Sequence, residues 1–230
     1  MKVIILAGGL GTRLSEYTKT IPKPMVKIGG KPILVHIMQH YNNYGIDDFY
    51  IAIGYKSNVI KDFFKKNNFK WRVNLIETGL STMTGGRVKR LKKYVKNETF
   101  MMTYGDGVSN INIKKLINFH KKNKKLVTMT AVRPPARFGA LRLIGNKVKY
   151  FKEKSSLDEG WINGGFFVIE PKFLNYIKGD KTYLEKNPLE KCAKEKQLIA
   201  YKHEGFWQCM DTKRDKDNLE KIFRKKKKFE

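Results

Sequence analysis

The sequence predicts an α/β fold in which a mostly parallel sheet carries helices on both faces. Three observations support it: short β-branched runs alternate with stretches of helical spacing, the first run stops abruptly on glycines, and two chemistry-bearing loops fall directly after strands. Val3 to Ala7 is the first strand, broken off by Gly8-Gly9. Pro32 to Tyr44 predicts a helix stopped by Gly45, and Phe49 to Ile53 the next strand. Asn58 to Asn67 sets Val59, Ile60, Phe63 and Phe64 at helical spacing, and Val73 to Ile76 is again extended. Arg87 to Lys96 predicts a helix with Val88, Leu91 and Val95 on one side, before an apolar strand, Phe100 to Thr103, that ends in Tyr104-Gly105-Asp106-Gly107. Crossovers of this kind place helices on both faces, and ligands meet the carboxyl ends of the strands, where Gly8 and Asp106 fall. From Leu126 the pattern is richer in strands: Leu126 to Arg133, Ala140 to Leu143, Lys147 to Phe151 and Trp161 to Ile169, with few long helical stretches before Asp211.

With 230 residues, 41% hydrophobic and 12% aromatic, the chain is long enough for one domain spanning residues 1–230. Its halves, about 1–125 and about 126–230, are expected to build two adjoining pockets; no linker and no internal repeat divides them. The chain starts directly on a strand and contains no apolar run near 18 residues, so export and membrane spanning are not expected and the cytoplasm is. Cys192 and Cys209 lack metal-ligand or disulfide-framework spacing and read as reduced thiols. Lys and Arg number 48 against 21 Asp and Glu, a formal charge of +27 that attracts polyanions. That excess is spread along the chain as lysine, with no interleaved aromatic signature, so it reads as a solvated surface rather than a nucleic-acid site. The densest run, Arg224 to Lys228, reads as a terminal tail.

Gly8, Gly9 and Gly11 let several N–H groups converge on anionic oxygens, and Arg13 and Lys23 supply a fork and a point charge suited to a polyphosphate. Taken alone, the loop also admits a second reading, a tight turn from strand to helix. A dinucleotide site is disfavoured, because Gly9-Leu10-Gly11 lacks the third glycine and the second strand ends in Gly54-Tyr55-Lys56 rather than an acidic residue. On local sequence, Asp106 serves equally as a turn residue or a cation ligand, and Asp211 equally as the N-cap of a helix over Lys213 to Phe223 or a cation ligand.

Leu6 to Leu14 followed by Pro22-Lys23-Pro24-Met25 resembles the signature of the sugar-1-phosphate nucleotidyltransferases. Within that family the chain is similar to the glucose-1-phosphate cytidylyltransferase branch. The segments that carry this likeness are Leu14-Ser15-Glu16, Ser81 to Arg87, Tyr104 to Gly107, Arg137 to Leu141, Ile162 to Phe167 and Phe206 to Thr212. The resemblance implies a Rossmann-like, three-layer α/β/α fold of the nucleotide-diphospho-sugar transferase type with a mostly parallel mixed sheet. It implies Mg²⁺-dependent transfer of CMP from CTP to a sugar 1-phosphate, above all glucose 1-phosphate, and a homo-oligomer.

By the same resemblance the first half holds the nucleotide and the second the acceptor. Leu6, Ala7, Gly8, Gly9, Gly11, Thr12 and Arg13 would hold CTP, completed by Thr82, Arg87 and Gly105. Arg13, Lys23, Asp106 and Asp211 would be catalytic, with Lys23 at the reacting phosphate and the two aspartates as Mg²⁺ ligands. Arg137, Glu153, Lys154, Asn163 and Gly164 would meet the acceptor. Glucose-specific relatives carry a longer segment where this chain passes directly through Lys70-Trp71-Arg72-Val73, which leaves a different phosphorylated acceptor as an alternative; the charge of +27 leaves a second, a non-catalytic polyanion-binding protein on the same fold.

Overall fold

The computed structural model describes residues 1–134, 139–152 and 160–226. The central sheet uses β1 (Lys2–Ala7), β4 (Asp48–Ile53), β5 (Arg72–Glu77), β6 (Phe100–Tyr104), β8 (Val127–Val132), β11 (Ile162–Asn163), β12 (Phe167–Ile169) and β13 (Leu198–His203). Three small ladders accompany it: β2 (Lys27–Ile28) with β3 (Lys31–Pro32), β7 (Gly107–Ser109) with β14 (Trp207–Cys209), and β9 (Ala140–Ile144) with β10 (Lys147–Lys152). The helices are α1 (Ser15–Thr18), α2 (Ile33–Asn42), α3 (Ser57–Lys66), α4 (Thr84–Arg90), α5 (Lys92–Val95), α6 (Ile113–Asn123), α7 (Asn187–Lys194) and α8 (Lys213–Lys226).

Strands β6, β1, β4 and β5 are parallel neighbours, with Val3 opposite Phe49 and Met101 and Phe49 opposite Val73. Strand β12 runs antiparallel between β6 and β8, and β13 extends the sheet parallel to β8. The mixed, mostly parallel sheet is therefore as expected. Strands β1 and β4 are apolar on both faces, as parallel strands covered on both sides must be. Val3, Ile5, Phe49, Ile51 and Met101 pack with α2 on one side, while Ile4, Ala52, Met102, Val88 and Phe173 form the core on the other.

Two elements differ from the sequence expectation. The strand expected over Trp161 to Ile169 is broken, because Asn163 faces Ala131 but Val168 faces Thr128, leaving two extra residues in a bulge. Gly165 and Phe166 take positive φ there, at 77° and 45°. The helix expected from Arg87 starts three residues earlier, at Thr84, and gives way at Leu91 to α5. The passage through Lys70 and Trp71 runs straight into β5 at Arg72, and Phe69 stacks on Trp71 at 4.8 Å. That short connection lies at the amino end of β5, beside Lys2 and Asp48, the sheet end opposite Gly8 and Asp106. This passage is thus remote from the strand ends where ligands meet this fold.

Candidate active site

The loop after β1 is built to leave its amides open. Gly11 caps the following 3₁₀ turn with φ of 65°, and the Thr18 hydroxyl donates to the carbonyls of Gly11 and Leu14 at 3.1 and 3.2 Å. The N–H groups of Gly9, Leu10, Gly11, Thr12 and Arg13 make no hydrogen bond to any described residue. Amides left without a partner among the described residues, next to a guanidinium, are suited to hold an anion.

Arg87 holds this loop in place. Its guanidinium is buried, donating to the carbonyls of Gly8 at 2.8 Å and Gly79 at 2.9 Å and to the Thr78 hydroxyl at 2.5 Å. A Cβ on Gly8 would lie 2.1 Å from Arg87 Nη1, so this loop position has no space for a side chain. Burial, then the charge of Arg90, lowers the Arg87 pKa below the usual guanidinium value. The helix bearing Arg87 is seated by Gly85 and Gly86: a Cβ on Gly86 would meet Asp180 Cα at 2.6 Å, and the Gly85 N–H donates to the Thr182 carbonyl at 3.0 Å. The Thr-Gly-Gly-Arg segment therefore packs and ties, while Thr82 and one edge of Arg87 face a cleft of about 290 Å³ beside the loop.

Lys23 sits at the floor of this cleft, its side chain only 10% exposed. Nζ donates to Asp106 Oδ2 at 2.7 Å and to Asp211 Oδ1 at 2.6 Å; Arg13 Nη1 donates to the other oxygen of Asp211 at 2.7 Å. Burial would lower the Lys23 pKa, but Asp106 and Asp211 outweigh it and raise the value. Burial would likewise raise Asp211, but Lys23, with help from Arg13, holds its carboxyl below the usual carboxylate range. Both groups thus stay charged at neutral pH. Burial, then the charges of Asp211 and Asp106, pushes the neighbouring Cys209 thiol up to about 12, so it is no nucleophile.

Backbone geometry fixes this constellation. The Gly105 N–H donates to the Leu6 carbonyl at 3.0 Å, and the Met210 N–H to the Asp106 carbonyl at 2.9 Å. Asp211 does not cap α8. That task falls to Thr212 and Asp215, whose reciprocal bonds (Thr212 N–H to Asp215 Oδ2 at 2.9 Å, Asp215 N–H to Thr212 Oγ1 at 3.3 Å) form a capping box and leave Asp211 free for Lys23 and Arg13. Among the described residues no three His, Cys, Asp or Glu side chains are grouped to hold a metal. Two carboxylates already converging on one cation nevertheless fit Mg²⁺, which takes few protein ligands and completes its shell with waters and phosphate oxygens.

Tyr104 and Thr84 form the cleft wall and were not singled out by the sequence. Asn163 reaches this wall by donating to the Tyr104 hydroxyl at 3.1 Å, and its Oδ1 accepts from Gly165 N–H at 2.9 Å. Gly164 is spent on structure: its N–H donates to the Thr130 carbonyl at 2.9 Å and its carbonyl accepts from Trp207 Nε1 at 2.8 Å. Leu6, Ala7, Gly8, Gly9, Gly11, Arg13, Lys23, Gly105 and Asp106 all line the cleft. Asp211 adjoins it through Lys23, and Thr12 lies in the turn behind Gly11. Arg137, Glu153 and Lys154 lie outside the described residues.

Residues 2–212 match the Nucleotidyl transferase family. The chain belongs to that family. It is 49% identical over 250 aligned positions to the glucose-1-phosphate cytidylyltransferase of Salmonella typhimurium, covering 99% of this chain and 97% of that protein. The alignment is 20 positions longer than this chain. The mannose-1-phosphate guanyltransferase of Saccharomyces cerevisiae is 32% identical, covering 95% of this chain and 63% of that protein. Among solved structures, HddC from Yersinia pseudotuberculosis complexed with GMP-PN superposes with a TM-score of 0.77 at 28% identity, covering 96% of this chain and 99% of that one. The fold is that of the family's nucleotidyltransferases, and the chain is an enzyme of this class. No helix among the described residues is long and apolar enough to cross a membrane.

Proposed function

We propose that the protein transfers CMP from CTP to a sugar 1-phosphate, glucose 1-phosphate above all, giving CDP-glucose and pyrophosphate. The observation that carries this reading is Lys23 held between Asp106 and Asp211, beside a loop whose five amides have no hydrogen-bond partner among the described residues. A phosphate oxygen of the acceptor attacks the α-phosphorus of CTP and forms the new P–O bond. The bond from that phosphorus to the bridging oxygen breaks, and pyrophosphate leaves in line. No covalent enzyme intermediate is needed, so positioning and charge neutralisation supply the catalysis.

In this reading the amides of Gly9 to Arg13 and the exposed guanidinium of Arg13 hold the triphosphate, and Lys23 turns its ammonium toward the reacting phosphate. Asp106 and Asp211 are the residues that would hold Mg²⁺, and the ion would add positive charge at the phosphate oxygens. Leu6, Ala7 and Thr82 border the base, while Arg87 and Gly105 keep the loop and strand ends in register. Asn163, with Arg137, Glu153 and Lys154, belongs to the acceptor side, where Gly164 acts as a packing residue. Cytoplasmic location suits a reaction that consumes a nucleoside triphosphate, and the thiols Cys192 and Cys209 are unpaired. A homo-oligomer is part of the proposal: Leu141, Leu143, Ile144, Val148 and Phe151 expose apolar surface on the β9–β10 hairpin.

The test is release of pyrophosphate by purified protein with Mg²⁺, each nucleoside triphosphate in turn and glucose 1-phosphate, with identification of the product. CTP should give the highest kcat/KM, and chelation should abolish turnover. Equal or higher activity with another nucleotide, or no activity with CTP and any sugar 1-phosphate, overturns the reading.

A further inference from the structure

Glu185, in the loop before α7, closes a hydrogen-bonded chain behind two lining residues of the cleft, Tyr104 and Thr84. Asn163 Nδ2 donates to the Tyr104 hydroxyl at 3.1 Å, and that hydroxyl donates to Glu185 Oε1 at 2.8 Å. From the other side, the Leu184 N–H donates to Thr84 Oγ1 at 2.9 Å, and the Thr84 hydroxyl donates to Glu185 Oε2 at 2.6 Å. Each hydroxyl has one proton to give, and both are directed to this single carboxylate. The direction of every bond in the chain is therefore fixed.

The ends of the chain lie on elements that do different work. Thr84 opens α4, the helix whose Arg87 ties down the glycine loop, while Asn163 starts the bulge between β11 and β12. Tyr104 stands between them at the end of β6, two residues before Asp106, with its ring edge-on to Phe167 at 6.0 Å. A ring held at one end by packing and at its hydroxyl by two partners is a rigid wall, and rigid walls are what fix a bound sugar relative to a reacting phosphorus.

We propose that Glu185 is a positioning residue for the acceptor, acting through Tyr104, whose ring is the wall against which the sugar of the sugar 1-phosphate lies. Thr84 couples that wall to the nucleotide-side helix. The inference rests on the proposed transfer to a sugar 1-phosphate and adds the residues that orient its sugar.

The experiment measures steady-state kinetics of Tyr104→Phe, Glu185→Gln and the double variant, varying CTP and glucose 1-phosphate separately, with Tm recorded for each. Glutamine keeps the shape of Glu185 but offers one carbonyl to two hydroxyl donors, and phenylalanine removes the hydroxyl from the chain. Each single variant should raise the KM for the acceptor about tenfold, the worth of a hydrogen bond to a charged partner, with kcat within about threefold and the KM for CTP little changed. The double variant should be no worse than the poorer single one, because both remove the same link. Multiplicative effects, an unchanged acceptor KM, or equal losses for CTP and acceptor accompanied by a lower Tm would overturn the assignment. If wild-type protein turns over mannose or galactose 1-phosphate instead of glucose 1-phosphate, the same comparison is read with that acceptor. An inactive wild type refutes the proposed transfer itself, whereas an active wild type with insensitive variants refutes only the role of Glu185.

Discussion

Replacing Lys23 with methionine probes the centre of the site with little change in shape. Lys23 is the shared donor to Asp106 and Asp211, whose side chains are only 27% and 18% exposed, so Lys23→Met leaves two carboxylates facing each other with their common cation removed. Removing one member of a buried ion pair costs about 3–5 kcal/mol. Arg13 still pairs with Asp211 and both carboxylates keep some water, so the lower end, about 3 kcal/mol, applies. For a chain of 230 residues this lowers Tm by about 6–12 °C, at roughly 2–4 °C per kcal/mol. A divalent cation that binds between the two aspartates should restore most of the loss. At a hundred times its dissociation constant, a ligand contributes about 2.7 kcal/mol.

The assay is thermal unfolding of wild type and Lys23→Met, in chelator and in millimolar Mg²⁺, beside kcat/KM for pyrophosphate release. The variant should gain far more from Mg²⁺ than wild type does, because in wild type Lys23 already neutralises the pair. Activity should fall by at least about 10²-fold, the cost of removing one preorganised charge at a reacting centre. Equal Mg²⁺ stabilisation of both proteins would refute the cation site, and unchanged kcat/KM would remove Lys23 from the reaction.

Gly8→Ala should destabilise by about 1–3 kcal/mol in urea unfolding, since the new methyl group would meet Arg87 Nη1 at 2.1 Å. Gly9→Ala meets nothing within 4 Å, so it should leave stability within about 0.5 kcal/mol while raising the KM for CTP by obstructing approach to the loop. His36 has its pKa lowered by burial and then by the charge of Lys31, against an opposing bond to the Ile28 carbonyl. The unfolded chain therefore binds the proton more readily, and Tm should fall as pH drops below about 6.5, levelling once the folded ring is protonated; His36→Gln should flatten that slope. Thr212→Val removes the hydroxyl of the α8 capping box and should cost about 1 kcal/mol, with a larger fall in kcat/KM than in stability because Asp211 is the preceding residue.

What the sequence made legible is what depends on neighbours along the chain. The first strand, its glycine loop and the strand ending at Asp106 all emerge from apolar runs cut off by turn residues, and the structure brings Gly8, Lys23 and Asp106 to one cleft. Helix α6 was also open to such reading, since Asn112 accepts from the Lys115 N–H at 2.9 Å and Ile113, Leu116 and His120 are its buried face, but its lysines masked the periodicity. The start of α4 was hidden for a different reason. Gly85 and Gly86 are poor helix formers, and they are helical here because Asp180 to Thr182 pack where side chains would stand. The pairing of Tyr104 with Glu185 left no local signal, because the bond that joins them spans 81 residues and nothing near either one points to the other.

The two carboxylates of the site lie far apart in sequence, yet their approach is set by the main chain rather than by a flexible side-chain search. Strands β7 and β14 pair with Gly107 opposite Cys209, and the ladder continues through the Met210 N–H to the Asp106 carbonyl. Asp106 enters this ladder and Asp211 leaves it, so a slip of one residue would turn one carboxylate away from Lys23. The same short strand β14 carries Trp207, whose indole N–H holds the Gly164 carbonyl of the bulge behind Asn163. One three-residue strand therefore links the aspartate pair to the wall on which the acceptor is proposed to rest. A hydrogen bond and a short backbone ladder thus join the bulge behind Asn163 to the segment that carries Asp211.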